Sequence, residues 1–290
     1  MGAPPPTIGL PFYPGEKDLF QFAQNFEFFE GEFWMSGALG CGYDCVAPEM
    51  VMGGPPPVGA RKANLDNTTK AIIEELGYQE VGNMRELKSK YGGIPRPLLN
   101  LSGEVFAKIM NDAFGYNLNP PFDPYNDTLK YLIASYVIPY MGVVAAVGAN
   151  PSINGYVSKK ILAGLLAVEA GQDAVIRTLL YPRKDEQVPP YNITVADFTI
   201  KISELRNRLA MCGLKDEGLI VPMALGAEGR LTTNILSADN YSLGYSRTPA
   251  EVFRVFYLTG DESKPGGFFP EGSDGRVIHV PILQMYGNWM

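Results

Sequence analysis

Two helical stretches of the 290-residue chain repeat one arrangement of side chains: Glu80 and Asn83 in YQEVGNMREL, and Glu169 and Gln172 in VEAGQDAVIR. Ile72, Ile73, Leu76, Met84 and Leu87 form an apolar stripe around the first pair. Leu162, Leu165, Leu166, Ile176 and Leu179 do so around the second. A third stretch sets Glu27 and Glu30 among Phe22, Phe26, Phe29 and Phe33. These carboxylates therefore face a core, where an unpaired charge costs about several kcal/mol. In carboxylate-bridged metal bundles the recurring unit is Glu-x-x-His, with both side chains on one ion. Here the second position holds an amide.

That difference limits the chemistry. The single histidine, His279, lies in the tail and is expected at the surface. Asp and Glu are absent from Thr128 to Val168, so one long apolar helix offers no carboxylate. A redox di-iron centre is not expected, and neither is any other cofactor. An oxygen-only site for a hard ion stays open, and if a metal is held, Glu30, Glu80 and Glu169 are its expected ligands. Without metal, buried carboxyls can stay neutral as relics or act on a small amphipathic molecule, with an amine or iminium as the natural partner. In that reading Glu80, Glu169 and Tyr140 are catalytic by acid/base chemistry of cyclase, lyase or isomerase type. Glu27, Glu30, Tyr78, Asn83, Tyr136 and Gln172 then bind the ligand. The residues leave open whether the chain is an enzyme. The stretch MGGPPPVGA lacks the Gly-Lys-Ser/Thr of a phosphate loop, no G-x-S-x-G elbow occurs, and one tail histidine argues against a Ser-His or Cys-His site.

The elements that must position these groups are helices. The first runs from about Glu16 to Tyr43. A Pro/Gly-rich loop follows, then a second from the N-cap Asp66 to about Tyr91. A short helix spans about 102–114. A third long helix, about 128–149, should be kinked by Pro139, which removes one backbone donor. A fourth covers about 154–181, a fifth about 194–211, and RTPAEVFRVFYL forms one more near the end. Four long helices with lengthy connections predict a mainly α, four-helix bundle with a long crossover and a loop-rich C-terminal extension. The expected division is an N-terminal extension at 1–15, the bundle at 16–213, and an irregular extension at 214–290 packing on the bundle.

Long strings carry a more specific signal, among them NFEFFEGEFW, MGGPPPVGARKANLD, YQEVGNMR, NPPFDPYNDTLKYLIASYVIPYMG, AGLLAVEAGQDAVIRTLLY and PGGFFPEGSDGR. Over nearly its whole length the chain resembles the plant desiccation-related proteins of the ferritin-like superfamily. The resemblance implies a ferritin-like bundle, a signal sequence in the precursor, and a secreted, cell-wall or vacuolar setting. The implied role is stress-associated or ligand-binding. Relatives of this kind commonly carry His where Asn83 stands. Bacterial cousins have His where Gln172 stands and a carboxylate near Pro139. The implied metal site is thus the part of the pattern from which this chain departs.

Composition agrees with a compact helical protein. The net charge of −7, without a basic run, argues against nucleic acid. The segment YLIASYVIPYMGVVAAVGAN has the length of a membrane span, but its proline, tyrosines and small residues fit a helix buried in protein, and no span is expected. Cys41, Cys45 and Cys212 read as small buried or half-buried thiols. The N-terminus shows neither a basic nor an apolar signal region. Sequons at Asn67, Asn100, Asn126, Asn192 and Asn240 are the candidate glycosylation sites of a secreted chain. The oligomeric state is not legible.

Overall fold

The computed structural model describes residues 15–279. Helix α1 (Glu16–Leu39) begins where Gly15 donates to the Asp18 carboxylate at 3.0 Å. It ends at Gly40, whose φ of 95° is left-handed and costs glycine least. The expected run to Tyr43 is therefore corrected. Gly40 stops the helix, and the chain continues through two short turns, α2 (Tyr43–Val46) and α3 (Pro48–Val51). Helix α4 (Asn67–Tyr91) is capped by Asp66, whose carboxylate accepts from the Thr69 amide at 2.9 Å, and Gly92 follows its end. Helix α5 (Gly103–Phe114) is capped by Ser102.

The third long helix is two helices. Helix α6 (Thr128–Ser135), capped by Asp127, stops before residues 136–138, and α7 (Pro139–Ala149) starts afresh with Pro139 in its first position. Proline is well placed there because its missing N–H has no intrahelical partner to lose. The sequence suggests a kink, whereas the structure has a break. Helix α8 (Tyr156–Leu180) follows, then α9 (Val195–Ala210) with a Thr194/Asp197 capping box, and α10 (Pro249–Phe256) with a Thr248/Glu251 box. Among the described residues the β structure is limited to isolated bridges.

Helix α1 packs along α4, and α7 along α8. Contacts of α1 with α7 and of α4 with α8 close the four into a bundle. The crossover from α4 to α7 carries α5 and α6. Apolar burial holds this together at about 25 cal/mol per Å². On α1, Phe22 and Phe26 meet Phe253 and Phe256 of α10, and Phe29 meets Phe268 and Phe269 beyond it. The extension thereby covers one side of the bundle. The run Thr128–Ser152 is long and apolar enough to cross a membrane, but α6 lies buried in the protein. Cys41 is half-buried, while Cys45 and Cys212 are exposed, which corrects the expectation of covered thiols.

Candidate functional site

Helix spacing sets the site. Glu27 and Glu30 are one turn apart on α1 and share its inner face. Glu80 projects from α4, and Glu169 and Gln172 from α8. All four glutamates are buried, Glu80 completely. Carboxylate oxygens of Glu27, Glu80 and Glu169 lie within 4.8 Å of one another. Glu30 stands at the edge of this trio, against Glu169. Gln172 donates to Glu80, and its own Oε1 accepts nothing. Glu27 Oε2, both Glu30 oxygens, Glu80 Oε2 and Glu169 Oε2 are buried without a hydrogen-bond donor.

The electrostatics follow. Burial pushes the carboxyls of Glu27, Glu30 and Glu169 well above the usual range, and their mutual repulsion adds to it. Glu80 is raised by burial too, with Glu27, Gln172 and Asn83 partly offsetting the rise. No arginine or lysine pairs with any of the four among the described residues. The arginines that could have neutralised them are engaged elsewhere. Arg85 pairs with Glu49 at 3.0 Å on the surface, and Arg177 lies 3.9 Å from Asp173 and donates to backbone carbonyls. A neighbouring acid on α1 shows the contrast: Glu32, equally buried, is paired with Arg96.

Several expected site residues are not there. Tyr78 is 49% exposed on the outer face of α4. Tyr136 sits in the break between α6 and α7, with its hydroxyl bonded to Ser203 and the Glu217 carbonyl, both at 2.9 Å, and to Arg177. Tyr140 is buried, but its hydroxyl donates to the Lys215 carbonyl at 2.9 Å. Helical spacing shows which face a tyrosine takes, whereas these two hydroxyls answer to carbonyls of a distant segment. Asn83 lies beside Glu80, its Nδ2 buried and without a hydrogen bond of good geometry. His279 is the last described residue, in the turn Arg276–His279, and the expectation for its side chain lies outside what is described.

The structure adds two residues that the sequence reading did not single out. Tyr43 on α2 is fully buried and donates to the Glu27 carbonyl at 3.1 Å. Gly142 is where α7 meets the cluster: a Cβ there would stand 2.5 Å from Glu169 Oε2 and 3.4 Å from Glu30 Oε1. The only signal for Gly142 was a small residue in an uncharged helix.

The donor set decides which ions fit. A dinuclear centre of the Glu-x-x-His type does not fit, because Asn83 and Gln172 replace both imidazoles and Gly142 offers no third-helix carboxylate. A single hard divalent cation does fit, since convergent carboxylate oxygens with free lone pairs suit Ca²⁺, Mg²⁺ or Mn²⁺. A large organic cation does not. Among the described residues, the cavity lined by Glu27 and Glu169 is about 40 Å³, room for one or two heavy atoms.

With this geometry in view, the comparisons place the protein. The ferritin-like domain family matches residues 15–182, and the chain belongs to that family, in its desiccation-related branch. Ferritin-like catalase Nec2 of Nesocodon mauritianus is 59% identical over 260 residues, spanning 90% of this chain and 84% of the relative. Desiccation-related protein PCC13-62 of Craterostigma plantagineum is 49% identical over 261 residues, spanning 90% and 83%. No solved structure matches the chain.

Proposed function

We propose that the bundle centre holds one hard divalent cation on Glu27, Glu80 and Glu169, with Glu30 and Gln172 at its edge, in a secreted, stress-associated protein. One observation carries the reading: three buried carboxylates converge without a positive partner, while Glu32 beside them has one. Four buried anions would repel strongly, so the cluster must take up protons or a cation. The proposal departs from the expectation of no cofactor, which rested on the missing histidines. The metal-independent acid/base reading loses ground because the cavity is too small for an organic substrate.

Of the ions that fit, manganese alone would supply a redox centre for decomposing peroxide, the activity for which the 59% identical relative is named. The chain's own contribution is different. Glu27 stands against Glu80 and Glu30 against Glu169, so each pair can hold a proton between its carboxyls. Gln172 fixes one Glu80 oxygen and leaves the other free. Phe22 and Phe26 keep bulk water away. Asn67, Asn126, Asn192 and Asn240 are exposed, as carriers of glycans in a secreted protein should be, whereas Asn100 is half-buried and caps the Ser102 amide at 3.1 Å.

The test is metal content by mass spectrometry on protein purified without chelator, then after manganese or calcium loading and desalting. About one equivalent in the wild type, lost in Glu80→Gln and Glu169→Gln, is the expected result. A chain that stays empty after loading overturns the cation site.

A further inference from the structure

The cavity that reaches the carboxylates is a slot between α1, α7 and α8. Gly142, Ala145, Ala146 and Ala149 line it on α7. Glu27 and Glu169 lie at the Gly142 end, and Leu19, Phe20, Ile153 and Leu162 at the other. Ala146 and Ala149 are only half-buried, so the outer end approaches solvent. The small side chains do not by themselves make a site. The second observation is that Glu27 and Glu169, 4% and 5% exposed, both line the slot, and each has a buried Oε2 that receives no hydrogen bond. At the same point Gly142 lets the Glu169 carboxylate lie against α7, in the space a Cβ would fill.

We infer that this slot is the route and size filter by which small neutral molecules reach the carboxylate cluster. Its apolar walls oppose ions, since desolvating a charge is far more costly than desolvating a neutral group. About 40 Å³ admits one or two heavy atoms. The free carboxylate oxygens at the inner end ask for a hydrogen-bond donor. Hydrogen peroxide meets all three conditions, and tert-butyl hydroperoxide fails on size. What the molecule meets inside rests on the cation-site reading, but the slot itself does not.

Two measurements separate them. Crystals of the full chain pressurised with xenon should show the gas between Ala146 and Leu165, and Ala146→Phe should abolish it. A wild type without xenon there overturns the slot. Separately, manganese-loaded wild type and Ala146→Phe are compared for metal content and for peroxide consumption. The variant should keep its manganese and consume hydrogen peroxide at least about tenfold more slowly, because the slot is filled. Gly164→Ala, on the open face of α8, should match the wild type, and neither protein should consume tert-butyl hydroperoxide. Equal rates at equal manganese content overturn the route. If the wild type takes up no manganese, the cation-site reading falls and xenon alone decides the slot. Ala149→Leu replaces Ala146→Phe if that variant does not fold.

Discussion

Glu32 and Glu80 are both buried glutamates of one core, yet they should respond to the same substitution with opposite signs. Glu32 is raised to about 7 by burial, with Arg96 pulling it back, so Glu32→Gln strips a buried arginine of one anion while Asp44 remains. Its expected cost is about 1–3 kcal/mol. Glu80 has no such partner. Its folded-state pKa, like those of Glu27, Glu30 and Glu169, lies above the unfolded value. Groups of this kind contribute stability below the unfolded carboxyl range, and lose it as pH rises through the folded pKa values. Metal-free protein should therefore melt at steadily lower temperature from pH 5 to pH 9. Glu80→Gln should raise the midpoint at pH 8 by about 2–4 °C for each kcal/mol relieved. Thermal melts of chelator-treated protein across that range check both signs. A flat profile for the wild type would mean that the four carboxyls are neutralised by something other than protons.

At the level of the helix, Gly142→Ala sets two effects against each other. Alanine is the better helix former by about 1 kcal/mol, and overpacking a core costs about 1–3. The atom in the way is the end of the Glu169 side chain, which can swing aside. Stability should thus change by less than about 1 kcal/mol, while displacement of Glu169 lowers metal occupancy after loading. Gly171→Ala on α8, with nothing within 4 Å, provides the reference. A melting curve together with a metal assay separates these effects, and unchanged occupancy would show that Glu169 is not a ligand. The same helix marks the limit of the sequence reading. Caps at Asp66 and Thr194 were legible because a side-chain oxygen and a backbone amide sit three residues apart. The break at 136–138 was not, since Pro139 signals a disruption without saying whether the helix bends or restarts. Carboxylates on stripes were legible too. What they lack, a counter-charge, depends on where Arg85 and Arg177 finally point.

For the molecule as a whole, the extension after α9 is tied to the bundle by buried arginines. Arg206 pairs with Asp216 and donates to the Tyr136 and Val137 carbonyls inside the α6–α7 break. Arg206→Ala leaves Asp216 buried and those carbonyls without their donor, so it should cost about 3–5 kcal/mol in denaturant melts. Tyr136 and Tyr140 belong to this same tie. Their hydroxyls meet carbonyls 81 and 75 residues away, a pairing that no local pattern could announce. Arg177 reaches further along the extension, donating to Glu217 and Gly218 on one side of an exposed loop and to Asn234 and Ile235 on the other. Between them, backbone bonds from Val221 to Thr232 and from Asn234 to Leu219 close a neck below Arg230, which stands in the open. A trypsin cut after Arg230 should therefore give two bands on a denaturing gel and one undivided particle by size exclusion. The severed ends would stay clasped around one guanidinium, so this chain can be nicked at an exposed turn without coming apart.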